Sequence, residues 1–430
     1  MWMKKLLALL LLLTLVFPAL AEEKDNRYDA IGDCGFEENT LLPVKRDGLW
    51  GFVNASGERV IPCEWEDYVL PEGGKIAVQK NGLWGCIDFA GNVLIEPEWD
   101  WLTVWSDGSY YAERDGDAVL LNAAGKMVVP LGVYPYIGGN LDGMLMVITH
   151  DGKTGKLNPD GSVAVPAEWD YIGYFGGDRA YALLDSGGYC YIDRTGNVVI
   201  PGPFISACEF REGMAAVRLT RSPIIDGSTR DWNFIDAQGN FLFDEGFMMI
   251  CDSSDGMYVV SRNGKIGYVS AQGELVIPIE YEPINYQVLS CSDFSHGRAP
   301  VRQNGVTFWI DKEGNRLADL PFEKVEEWGG QLAFVGNEQR LYGAVNADGE
   351  IVIPCEWEVM GSRWHIPSED CEIVWGRREG EIAFFNQRGE NITGRIHDTE
   401  TTMGVHDWHH LYLLEDGVLT IWNAEGEQMY

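Results

Sequence analysis

The sequence predicts an all-β protein: a tandem array of about eleven antiparallel β-units of ~35 residues, forming propeller-like rings or an open β-superhelix. Three observations predict it. A short phrase, Asp, Asn or Ser, then two residues, then Gly, recurs between apolar strands. Its glycines are Gly57, Gly91, Gly125, Gly161, Gly196, Gly239, Gly273, Gly314, Gly349, Gly389 and Gly426, spaced by 34 to 43 residues. Apolar residues alternate with period two between turn signals set 8 to 12 residues apart. Proline then closes the third strand of most units, at Pro62, Pro97, Pro130, Pro166, Pro201, Pro278 and Pro354.

One unit justifies its elements in order. Lys75 to Lys80 alternates and reads as a strand. Asn81-Gly82 is a two-residue hairpin turn, because both positions need positive φ. Leu83 to Ile87 is the second strand and Asp88 to Gly91 the next turn. There Gly takes the left-handed position where a Cβ is strained, and the Asp side chain caps the backbone N–H groups ahead of it. Asp88, Asp193, Asp236 and Asp311 are therefore turn residues rather than catalysts. Asn92 to Ile95 is a third strand, and Trp99 to Trp105 a fourth, irregular one. The acid and aromatic after proline, as in Glu64-Trp65, Glu98-Trp99, Glu168-Trp169 and Glu356-Trp357, place a large core wedge between neighbouring units.

Gly48-Leu-Trp50-Gly51, Gly82-Leu-Trp84-Gly85 and Gly264-Lys-Ile-Gly267 with the following Gly273 to Glu282 segment resemble the WG repeat of bacterial proteins, over about residues 28 to 430. The Trp-Gly pair becomes Tyr342-Gly343 in one unit and is absent around Gly125, Gly239, Gly389 and Gly426. The resemblance implies an all-β repeat protein, often exported, with no family catalytic residues. Tyr28 to Val44 matches the tail of a unit, and the last unit stops at Tyr430 before such a tail. The two ends thus either pair to close a ring or cap an open array. Eleven units exceed the usual 4 to 8 blades of one propeller, so an open superhelix, two rings and one ring all fit.

Lys4 and Lys5, an apolar run from Leu6 to Leu20, and Ala19-Leu-Ala21 read as a signal peptide over residues 1–21, leaving the array at 22–430. The run is shorter than the roughly 20 residues that span a bilayer. The expected location is secreted, or extracytoplasmic. A net charge of −34 argues against nucleic acid and anionic lipid. Nine cysteines form no recognisable disulfide framework and read mostly as small buried residues.

No catalytic fingerprint is present, and the expectation is a non-enzymatic scaffold that binds a protein or a cell-surface ligand. A carbohydrate- or cell-wall-binding module is the alternative, and a hydrolase with an unseen carboxylate pair a further one. Trp101, Trp105, Trp328, Trp364 and Trp408 fall outside the regular strand positions and are candidate stacking surfaces. His406, His409 and His410 are candidate metal ligands, set against the alternation of side chains along an extended segment. No cofactor is expected, and the acidic turns lack the EF-hand or RTX pattern for Ca²⁺.

Overall fold

The computed structural model describes residues 26–33, 41–139, 142–219, 231–284, 292–320, 322, 324–329, 331–361, 372–399, 402–406 and 409–430. The expected signal peptide, Trp364 and Trp408 lie outside the described residues.

Each repeat does build antiparallel strands; among the described residues they assemble into eleven sheets of three or four strands, numbered 1 to 11 in chain order, with no α-helix. The strands of sheet 1 lie within 30–65, sheet 4 within 136–169, sheet 5 within 180–204, sheet 6 within 206–236, sheet 7 within 249–281, sheet 10 within 359–398 and sheet 11 within 402–423. Sheet 2 is typical: Asp67–Tyr68, Lys75–Lys80, Leu83–Asp88 and Val93–Trp99 pair in sequence order. Asn81 and Gly82 both have positive φ, 54° and 75°, as the tight hairpin requires. At the next turn Gly91 N donates to Asp88 O at 2.9 Å, and Asp88 Oδ1 caps Ala90 N at 2.9 Å and Asn92 N at 2.8 Å.

The sequence unit and the sheet are out of step by one strand. The segment expected as an irregular fourth strand, Trp101–Val104, pairs instead with Tyr110–Arg114 as the first strand of sheet 3. The reason is the third strand's length. Val93–Trp99 runs on past Pro97 through a register shift, and Trp99 still pairs with Trp84. The chain therefore leaves the sheet only at Asp100.

Sheets pack face to face in sequence order. Ten buried clusters each join consecutive sheets, from sheets 1 and 2 through sheets 10 and 11. A further cluster joins Tyr412, Leu414, Leu419 and Ile421 of sheet 11 to Tyr28, Ile31, Leu42, Val44 and Val53 of sheet 1. The packing is therefore a closed circuit of eleven sheets, with no free end face among the described residues.

Hydrogen bonds seal the junction. The strand Val418–Asn423 has two partners along its outer edge. Tyr28 N donates to Gly417 O at 2.9 Å and Leu419 N to Asn26 O at 3.0 Å, while Met429 N donates to Ile421 O at 2.7 Å. Residues 428–430 and 26–28 together take the place of one outer strand.

The turn glycines carry a second duty at each sheet-to-sheet contact. A methyl on Gly125 would lie 2.8 Å from Ile95 of the preceding sheet, and one on Gly239 2.9 Å from Ile200. Gly57 of sheet 1 meets the ring of Tyr430 in the same way, across the junction.

Candidate functional site

One region combines exposed aromatic rings, a buried ion pair and a pocket. It spans sheets 4 to 7. Its foundation is Lys156 in the strand Thr154–Leu157. This position, just after the repeat's strand glycine, holds Phe52, Cys86, Tyr268 and Ala344 in other units. Lys156 is buried there and its Nζ lies 2.9 Å from Asp142 Oδ2, the two side chains being 1% and 2% exposed. Backbone donors complete the carboxylate: Met144 N at 3.0 Å to Oδ1 and Phe175 N at 2.8 Å to Oδ2. A buried charge survives only when paired and hydrogen-bonded, and this one is.

The pair anchors the connection between sheets 4 and 5. Phe175 is tied to Asp142, and the Lys156 ammonium sits 5.1 Å from the centre of the Tyr174 ring. Tyr174 is thereby held at the surface, 37% exposed, beside Tyr136 and Tyr171 at 42% each. Burial raises the Tyr174 phenol above its ordinary value, and the neighbouring Tyr171 and Tyr136 hydroxyls and the Asp142 and Glu209 carboxylates add to the rise. The rings continue inward: Tyr171 lies 5.9 Å from Tyr181, and Tyr181 meets Tyr189 edge-on at 5.6 Å.

Tyr181 also borders a pocket of about 240 Å³ where sheets 5, 6 and 7 meet, walled by Cys208, Glu209, Arg211, Cys251 and Tyr258 among others. Glu209 and Arg211 form a loose ion pair at 3.9 Å. Cys63, Cys86, Cys190 and Cys355 are free thiols. Burial pushes the Cys86 thiol up to about 12, which makes it an inert core group.

A second polar cluster joins sheets 10 and 11. Buried His397 places Nδ1 2.8 Å from Glu415 Oε1 and Nε2 2.8 Å from Thr393 Oγ1. Hydroxyl, imidazole and carboxylate in this order are what an activated nucleophile needs. Thr393 Oγ1 is engaged locally as well, 3.1 Å from Arg395 O and 3.2 Å from Asn391 Oδ1. His397 has a side-chain exposure of 0%. The arrangement works as a clip between two sheets.

The residues singled out from sequence are dispersed. His406 and His410 are directly opposed across a hairpin rather than strung along one extended segment. His409 Nδ1 lies 3.0 Å from Glu372 Oε2, and the His410 ring 6.3 Å from that of Tyr412. Among the described residues no group of three or more His, Cys, Asp or Glu is placed to hold a metal ion. Trp101 is exposed, with its ring 4.8 Å from that of Trp84. Trp105 packs against the sheet 3–4 core and stacks on Tyr111 at 6.1 Å. Trp328 lies in the strand Lys324–Gly329 opposite Ala333. Sequence reasoning missed Lys156, Asp142, Tyr136, Tyr171 and Tyr174. The signal for Lys156 was a charge in an apolar repeat slot; the tyrosines gave none.

A model of the WG containing repeat matches residues 50–84, 84–116, 189–220, 266–306 and 342–362. This chain is a WG repeat-containing protein. The WG motif follows from the sheet's geometry. The motif aromatic pairs with the aromatic that ends the next strand, Trp50 with Trp65, Trp84 with Trp99 and Tyr342 with Trp357. The motif glycine lies under the bulge carrying the proline. A Cβ on Gly85 would come 2.5 Å from Ile95 O, and one on Gly343 2.4 Å from Ile353 O.

A ribose-5-phosphate isomerase A of Ruegeria pomeroyi is 30% identical over 148 residues, which are 32% of the WG repeat chain and 53% of that enzyme. The chain thus spans about half the length of this curated relative. Among solved structures, a eukaryotic initiation factor aligns with a TM-score of 0.44 and 11% identity over 83% of this chain and 95% of the other. BamB from Moraxella catarrhalis aligns with a TM-score of 0.34 and 16% identity over 67% of this chain and 93% of the other. Both scores are below 0.5 and say nothing about what the WG repeat chain does.

Proposed function

We propose that this protein is an exported, non-catalytic repeat scaffold that binds a protein or cell-surface ligand. The observation that supports it most is the group of exposed tyrosines, Tyr136, Tyr171 and Tyr174, on a rigid support. Large aromatics normally bury, and contiguous exposed ones mark recognition surfaces. Repeat assemblies offer such surfaces more often than active sites. The charged start, apolar run and Ala19-Leu-Ala21 favour export, and the charge of −34 disfavours nucleic acid and anionic membranes.

The test is co-sedimentation of the purified protein with the surface fraction of the producing cell, beside the triple variant Tyr136→Ala/Tyr171→Ala/Tyr174→Ala. The wild type should be retained and the variant released. A wild type that stays in the supernatant removes the proposal.

A further inference from the structure

We propose that the tyrosine face takes an uncharged saccharide chain, its pyranose rings stacked on Tyr136, Tyr171 and Tyr174 and one sugar entering the pocket beside Tyr181, Glu209 and Arg211. This rests on the binding role proposed above and names the ligand class for the same surface.

Three features lead there. The described residues expose few large aromatics: Trp101, Tyr136, Tyr171, Tyr174 and Phe241. Three of these five share one face, so the cluster is not an accident of surface composition. Their support is costly and specific. A buried lysine and aspartate hold the Tyr174-Phe175 segment, and the Tyr171, Tyr181 and Tyr189 rings brace one another. Preorganised rings lose little freedom on binding.

The chemistry then selects the ligand. A sugar ring has an apolar C–H face and a rim of hydroxyls. Phenol rings suit the face, and a carboxylate with a guanidinium in a small pocket suits the hydroxyls. Glu209 and Arg211 lie 3.9 Å apart at that pocket, supplying an acceptor and a donor side by side. The overall charge of −34 repels uronate and phosphate polymers, which leaves uncharged chains.

The experiment uses the full protein in native gels containing neutral β-glucan, chitin oligosaccharide or polygalacturonate, followed by titration calorimetry with the matching hexasaccharides. Saturable binding to at least one uncharged saccharide is expected, and none to polygalacturonate. The triple tyrosine variant should bind at least about thirtyfold more weakly, since each of the three lost stacking contacts contributes of the order of half to one decade. Its far-UV circular dichroism should match the wild type, because none of the three rings belongs to a buried core cluster. Glu209→Gln should weaken binding without abolishing stacking. Absence of binding to every uncharged saccharide overturns the assignment, as does equal binding by the triple variant. The surface-fraction assay separates the two proposals. If the wild type sediments with that fraction but binds no saccharide, the ligand is a protein, and only the saccharide class fails.

Discussion

Gly85 leaves no room for a methyl group, because the backbone of its own sheet's last strand crosses 2.5 Å from where one would sit. Gly85→Ala should therefore destabilise by about 2 kcal/mol, the usual cost of overpacking, and lower the urea midpoint accordingly. A midpoint equal to wild type would mean that the bulge does not demand glycine beneath it. The turn aspartates respond to acid. Hydrogen bonds from Thr195 first, and from Asn197, hold Asp193 down to about 2 against an opposing effect of burial, and bonds from Asn92 hold Asp88 low. A depressed folded-state value stabilises above the unfolded value near 4, and that contribution is lost as pH falls toward 2. Asp193→Asn keeps the turn, since Asn54, Asn122 and Asn346 do the same work elsewhere. Melting points taken from pH 5 to pH 2 should fall less steeply in this variant than in wild type. The left-handed conformation of these turns was legible in the sequence, as a glycine at a fixed offset from a capping side chain. The packing of Gly125 on Ile95 was not, because it depends on how far the next sheet stands away.

At the scale of strands and sheets, hairpins and turns could be read directly, while the boundary between units could not. Proline after the third strand suggested a stop, yet the strand Val93–Trp99 bulges around Pro97 and continues. Proline nonetheless protects the outer edges. Val93, Val163, Val198, Leu275 and Ile351 are exposed at the start of these strands. Free edges of this kind invite pairing with other chains, and a residue without an N–H interrupts the ladder. The Lys156–Asp142 pair belongs to this scale because it couples sheet 4 to the start of sheet 5. Lys156→Met leaves the aspartate buried beside backbone donors alone and should cost about 3 kcal/mol or more. Adding Asp142→Leu should recover part of the loss in the thermal midpoint. The same single variant should loosen Tyr174, seen as faster acrylamide quenching of tyrosine emission. Unchanged quenching would show that the pair does not support the face. Tyr171 and Tyr174 sit in a connection of irregular sequence and Tyr136 opens the short strand Tyr136–Gly138, so no periodicity predicts their exposure.

For the whole molecule, the match between Tyr28 to Val44 and a unit tail was the only sequence hint that the ends meet. It left closure and capping equally open, because pairing between residues almost 400 positions apart leaves no local pattern. Removal of residues 428–430 takes away the Tyr430 ring from Gly57 and the Met429 hydrogen bond to Ile421. Amide exchange should then accelerate in Val418–Asn423 and Leu49–Val53 while Ala180–Leu183, on the far side, keeps its protection. Uniform exchange rates before and after truncation would mean that the junction carries no stabilising contact.

A row of units with two loose tips can be lengthened or shortened by one, and only the neighbours notice. A loop of them has no such tolerance. Deleting a single repeat obliges every remaining pair to pivot before first and last touch again, so duplication and loss, the ordinary routes by which repeat genes drift in size, are closed to it unless all its joints change together.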